Sequence, residues 1–301
     1  MSTSIEKRRF GKTDMDVSVL GFGGAEIGFH GIDPDTVEQL LNSALDAGLN
    51  VIDTAECYAD SEEKIGKTIG HRRDEFHLFT KCGHTSGQDG NDWDVEMLRQ
   101  TIDRSLKRLQ TDRVDVIHLH SCAKEYLERG DVIEVLQAAK RAGKTRYIGY
   151  SGDSAAAEYA VRLGVFDSLQ ISINIADQEV LTRVLPLAQE AGLGVIAKRP
   201  IANVAWGPEP PASAYHRTYW DRLQALQYPF LAGDRDAAIA HALRFTLSQP
   251  GVHTAIVGTT KPGRWKQNAE FLAAGPLPEA EIAAIRNRWN EVAGPDWTGQ
   301  Q

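Results

Sequence analysis

The chain has 301 residues, 42% hydrophobic and 25% charged, which suffices for a large buried core. Its formal charge of -8 and pI near 5.6, with no lysine and arginine stripe, exclude nucleic acid or anionic lipid as the expected partner. No window approaches a membrane span of roughly 18 apolar residues, the N-terminus lacks the apolar stretch of a signal peptide, and Cys57, Cys82 and Cys122 are odd in number and irregularly spaced, so a cytoplasmic chain without a disulfide framework is expected.

Lys7, Arg8 and Arg9 before Phe10-Gly11-Lys12-Thr13 read as a small hairpin able to close the bottom of a barrel. Strand-like runs then alternate with stretches of helical periodicity. VSVLGFG (Val17 to Gly23) precedes a helical stretch from Thr36 to Ala47, NVIDTA (Asn50 to Ala55) one from Ser61 to Ile69, and FHLFTK (Phe76 to Lys81) one from Val95 to Leu109. VDVIHLH (Val114 to His120) is followed by Asp131 to Ala142, TRYIGYS (Thr145 to Ser151) by Ser154 to Leu163, and SLQISIN (Ser168 to Asn174) by Glu179 to Ala191. GVIAKRP (Gly194 to Pro200) leads to Arg235 to Leu247, and TAIVGT (Thr254 to Thr259) to Pro262 to Ala273. Glycines at 48, 143 and 192 stand just past helices, where a left-handed cap is cheapest. An extra amphipathic helix, Leu277 to Ala293, follows, and GPDWTGQQ trails it.

Eight strand-helix units without a linker predict an α/β fold: a single (β/α)8 TIM barrel spanning 1–301, with an N-terminal hairpin and an extra C-terminal helix. A doubly wound sheet is the runner-up. GFGGAEIG (Gly21 to Gly28) lies too far ahead of the first helix to be a dinucleotide fingerprint.

In such a barrel the chemistry sits at the C-terminal ends of the strands. Strand two ends near Asp53 and leads to Tyr58, strand three ends at Lys81 and strand four at His120. Taken singly, Asp53 reads as a turn cap, Lys81 as solvated, Tyr58 as rim packing and His120 as structural; their coincidence on one rim favours function. A phenol with a pKa near 10 is protonated at neutral pH. A neighbouring Lys81 ammonium lowers that pKa, Asp53 holds Lys81, and a neutral His120 orients a carbonyl. The set suits protonation of an oxygen that is gaining negative charge.

IDTAECY, FHLFTK and SLKRLQTDRVDVIHLH carry Asp53, Tyr58, Lys81 and His120 in a pattern that resembles the aldo-keto reductase family over essentially the whole chain. The resemblance selects His120 over His118 and implies reduction of an aldehyde, ketone or sugar carbonyl with a nicotinamide cofactor bound across the barrel mouth. It implies cofactor contacts at Gly23, Gly24, Ser151 and Gln170. The family's asparagine after that serine is Gly152 here, leaving one amide contact to Asn174 or water. Where a tyrosine often stacks on the nicotinamide, KRPIAN offers Lys198 or Arg199. IVGTTKPGRWKQNAEF supplies Thr259, Thr260, Lys261, Arg264, Gln267 and Asn268 toward the adenosine end. Lys261 and Arg264 favour NADP(H) over NAD(H). The other family-derived reading is a nicotinamide-binding regulatory subunit with little turnover.

Substrate choice is expected from the loops after the strands, with Trp93, Trp206, Tyr215 and Trp220 as candidates. The aromatic-rich segment 202–233 reads as a lid or as a loop packed on the rim by its own aromatics. The cysteines, with His84 and His118 near them, raise a zinc or copper site, but no Cys-x-x-Cys pair is present and Lys81 is an odd neighbour for a cation, so no metal is expected. Oxidant-sensitive thiols are the preferred reading of the cysteines.

Overall fold

A computed structural model describes residues 5–300. Eight parallel strands close into a barrel: β3 (Leu20–Gly23), β4 (Val51–Asp53), β5 (His77–Cys82), β6 (Val114–His120), β7 (Thr145–Ser151), β8 (Ser168–Ser172), β9 (Gly194–Lys198) and β10 (Thr254–Val257). β10 pairs with both β3 and β9, which closes the ring. Helices between the strands cover the outside, and a C-terminal helix spans Glu279–Val292. Among the described residues no helix is long and apolar enough to cross a membrane.

The expected first strand divides in two. β2 (Asp16–Ser18) folds back antiparallel on β1 (Lys7–Arg9), and only Leu20–Gly23 enters the barrel. Asn50 fixes the break: its Oδ1 accepts from the Ser18 amide at 2.6 Å, and its Nδ2 donates to the Asp16 carbonyl at 2.9 Å. The expected helix 179–191 also divides, into Glu179–Arg183 and Leu185–Glu190, where Pro186 has no N–H to continue the ladder. The periodicity reading missed helices Ala25–Phe29, Lys124–Arg129 and Ala214–Leu226.

The hairpin seals the N-terminal end. Phe10, Met15 and Val17 meet Val51, Phe79, Val116 and Ile196 in an apolar plug, with the Phe10 and Phe79 rings stacked at 5.6 Å. Gly11 (φ +54°) and Gly194 permit this: a Cβ on Gly11 would lie 2.4 Å from the Gly194 nitrogen, and one on Gly194 would lie 2.4 Å from the Phe10 ring. Successive interior residues lie two apart along a strand. Beyond Val51, Phe79 and Val116 the interior therefore receives Asp53, Lys81 and His118, and that alternation delivers charged groups to the C-terminal mouth.

Candidate active site

Asp53 and Lys81, each 1% exposed, form the buried centre of the mouth. Lys81 Nζ donates to Asp53 Oδ2 at 2.7 Å and to the Thr54 carbonyl at 2.8 Å. Asp53 Oδ1 accepts from Gln170 Nε2 at 2.8 Å, and Gln170 Oε1 accepts from Ser151 Oγ at 2.9 Å. Ser151 and Gln170 are thus tied to the ion pair, a link with no counterpart in their sequence spacing. Burial opposes the Lys81 ammonium, but Asp53 and Tyr58 hold its pKa above the usual lysine value. Burial likewise pushes the Asp53 carboxyl up, against the pull of Lys81 and Gln170. With both oxygens of Asp53 accepting hydrogen bonds, the pair is ionic.

Lys81 Nζ also reaches the Tyr58 hydroxyl at 3.4 Å and lies 4.8 Å from the centre of its ring. Lys81 does pull the phenol pKa down, as expected from the sequence. Burial outweighs that pull, and the phenol is pushed up to about 12, so the expected net lowering is corrected. Tyr58 is therefore a neutral hydroxyl with a proton to give. His120 stands edge-on to it, ring centroids 5.7 Å apart, half-buried at the mouth. Burial and the Lys81 charge hold His120 well below the usual histidine pKa and thus neutral. His118 lies one layer deeper, fully buried, with Nε2 on Ser168 Oγ at 3.0 Å, and burial pushes it down to about 3.

Three further residues gather here. Cys57 Sγ is 3.3 Å from His120 Nδ1, and the His84 and His120 rings are 5.2 Å apart. Glu56, buried behind Cys57, accepts the His84 amide at 3.0 Å, and burial pushes its carboxyl up to about 8. Burial also pushes the Cys57 thiol up to about 12, while Cys82 and Cys122 are enclosed in the core. These thiols are protonated and weakly nucleophilic, contrary to the oxidant-sensitive reading.

The rim expected to hold a dinucleotide is assembled from β3, β7, β8 and the segment after β10. Gly23 and Gly24 line it without side chains; a Cβ on Gly24 would meet Ser61 Oγ at 2.8 Å. Gly152 is required locally, since a Cβ would meet the Tyr150 hydroxyl at 2.5 Å. Gly258 faces Glu26: a Cβ there would lie 1.6 Å from Glu26 Oε2, so this corner carries a carboxyl. Thr259 and Thr260 are half-buried, and Lys261 is exposed ahead of the helix Arg264–Leu272. Arg264 bonds Gln267 Oε1, and Gln267 Nε2 donates to Asp236 at 2.7 Å. Asn268 is 2% exposed, and its Nδ2 has no hydrogen-bond partner among the described residues, nor has Asn174 Nδ2. The open Asn268 donor, buried on the same helix as Arg264, fits a group rich in acceptor oxygens and nitrogens.

Other expected contacts are engaged elsewhere. Lys198 Nζ pairs with Asp153 at 2.8 Å. Arg199 donates to Ser172 Oγ at 2.7 Å, bonds the Tyr215 hydroxyl and the Gln300 carbonyl, and lies 5.0 Å over the Tyr215 ring. Its plane is committed to Tyr215 and the C-terminal segment, which docks here instead of trailing. Segment 202–233 contains a full helix, Ala214–Leu226, whose buried Tyr219 bonds Asp177 at 3.1 Å. Trp206 and Trp220 pack in the same cluster, and Trp220 Nε1 donates to the Gly207 carbonyl at 2.9 Å. The segment is a packed rim, not a free lid. Trp93 is 6% exposed, wedged over Gly83 against His84 and Tyr126, so it supports the loop from beneath.

The sequence model of the Aldo/keto reductase family matches residues 19–290. Among curated proteins, the chain is 28% identical over 291 residues to L-galactose dehydrogenase of Arabidopsis thaliana, covering 88% of each chain. It is 28% identical over 313 residues to D-threo-aldose 1-dehydrogenase of a Pseudomonas species, covering 90% of this chain and 94% of that one. An aldo-keto reductase from Bacillus halodurans, solved in its holo form, superposes with a TM-score of 0.83 at 27% identity, covering 97% of this chain and 99% of that one.

Proposed function

Because the chain belongs to the aldo/keto reductase family, we propose that it is an NADPH-dependent oxidoreductase that interconverts a carbonyl and its alcohol, with Tyr58 as proton donor to the carbonyl oxygen. The observation that carries this reading is a neutral phenol 3.4 Å from a buried ammonium that is itself paired with Asp53. When bound, the nicotinamide supplies and accepts the hydride.

The protein's own groups manage the oxygen. Tyr58 gives its proton as negative charge develops there, and the Lys81 ammonium stabilises the phenolate left behind. Asp53, Gln170 and Ser151 hold Lys81 in that position. Cys57, kept a thiol, donates to His120 Nδ1, which leaves the proton on Nε2 to orient the carbonyl. Asn268 and Lys261 are the groups we assign to the adenosine end, and Arg264, which here bonds Gln267, would supply a cation for a 2′-phosphate.

Two sugar dehydrogenases among the relatives make aldoses the first substrates to try. NADPH and NADH oxidation with a panel of aldehydes, ketones and sugars, together with NADP+ and NAD+ reduction by aldoses, tests the activity and the coenzyme choice. Tight cofactor binding with no turnover on any of them would favour a regulatory subunit instead. Tyr58→Phe should lower turnover about 10²- to 10⁴-fold while the dissociation constant for NADPH stays nearly unchanged; native turnover by the variant removes Tyr58 as the acid.

A further inference from the structure

Cys57, His84 and His120 come from three different chain segments, yet each presents a ligand atom within 4.8 Å of the other two. We propose that they form a binding site for a thiophilic divalent cation, zinc above all, at the rim of the mouth. Tetrahedral zinc with sulfur at about 2.3 Å and nitrogen at about 2.0–2.1 Å sets ligand-to-ligand edges of roughly 3.4–3.6 Å. Cys57 Sγ and His120 Nδ1, 3.3 Å apart, already stand at such an edge. His84 has to approach by about 1 Å, and it lies in the segment between β5 and the next helix, where a small shift is cheap.

The surroundings fit the ion. Asp92 Oδ2 is 2.9 Å from His84 Nδ1, the carboxylate-histidine arrangement that orients metal-binding imidazoles and leaves Nε2 facing the site. His120 and His118 differ here: His118 is sealed in the barrel, whereas all three proposed ligands are half-buried and reachable from the mouth. Lys81 is no barrier, because Asp53 already matches its charge at 2.7 Å. The Glu56 carboxyl is buried behind Cys57, with Oε2 lacking a hydrogen-bond partner among the described residues. On binding, the cation replaces the proton shared between Cys57 Sγ and His120 Nδ1, which passes to solvent. Three protein ligands leave the fourth position open to water, as in zinc sites that retain an exchangeable ligand. No redox change is involved.

The test uses full-length protein stripped with a chelator and titrated with Co2+ as a spectroscopic stand-in for Zn2+, so turnover does not enter the readout. The expected result is one equivalent bound, with a thiolate-to-cobalt charge-transfer band and the intense visible bands of a tetrahedral ion, all displaced by Zn2+. Cys57→Ser should abolish the charge-transfer band, and His84→Gln should weaken binding at least tenfold. Asp92→Asn should weaken it about 10- to 100-fold with the band retained. Cys122→Ala should leave band and affinity unchanged. Absence of a charge-transfer band, its persistence in Cys57→Ser, its loss in Cys122→Ala, or unchanged affinity in both His84→Gln and Asp92→Asn overturns the proposal.

Discussion

At the N-terminal end of the barrel, the strands present Val51, Phe79, Val116 and Ile196 to an apolar plug from the hairpin. Two residues further along, the same strands present Asp53, Lys81 and His118. The charges around the closed end are matched: Asp115 accepts from Arg73 at 2.7 Å, from Arg146 at 2.8 Å and from the Leu78 amide at 2.8 Å. Burial opposes its charge, yet these donors hold the Asp115 carboxyl below the usual range. At the open end the balance reverses, and burial pushes Asp53, Glu56 and Asp177 up while holding both histidines neutral. One end of the fold is built for stability, and the other keeps polar groups poised at a cost that the rest of the barrel offsets.

The contrast is broken most severely at the open end. Lys81→Met strands the Asp53 carboxylate, which should cost about 3–5 kcal/mol and remove turnover. Adding Asp53→Asn should return most of the stability, measured by denaturant unfolding, but none of the activity. At the closed end, Phe10→Ala should cost about 3–5 kcal/mol while kcat/KM of the folded fraction stays native. A comparable loss of activity would mean that the plug and the mouth are coupled.

The two buried aspartates should respond to pH in opposite senses. Asp177, pushed by burial up to about 7, keeps its proton in the folded state where the unfolded chain has lost it, above about 4. Its contribution is complete below about pH 4 and fades as pH rises to about 7, so wild type should lose stability over that range. Asp115, held low, contributes above about pH 4 and loses its contribution as pH falls through its folded value. Melting temperature against pH should therefore flatten between pH 4 and 7 in Asp177→Asn, whereas Asp115→Asn should lower the plateau and soften the acid limb. The smallest effect belongs to the outer surface: Lys67→Ala, which breaks an exposed pair with Glu63 at 3.9 Å, should shift stability by less than about 0.5 kcal/mol.

Much of this was legible in the chain. β6, β7 and the helix Ser61–Ile69 fall on the expected bounds because each keeps one pattern from end to end, and Arg235–Leu247 does so with residues buried on several faces and an Asp234 cap that accepts from the Ala237 amide. The helix Ala214–Leu226 is hidden in the sequence because the glycine and prolines before it mimic a long connection, and its apolar residues pack in a local cluster with Trp289. The strands delivered Asp53, Lys81 and His120 to one rim by position alone. Nothing in the spacing tied Gln170 to Asp53, 117 residues away. His84 stands out in the sequence only by its closeness to the cysteines, and Asp92 gives no signal beyond loop composition.

The sequence by itself determined the repeating strand-helix order, hence the closed parallel barrel and the end at which polar residues collect, because these follow from local periodicity and strand direction. Only the tertiary structure decided the state of those residues. Whether burial or Lys81 governs Tyr58, whether Arg199 is free or bound to Tyr215, and whether Cys57 meets His84 depend on desolvation and distances between segments remote in sequence. Those quantities exist only once the ring has closed.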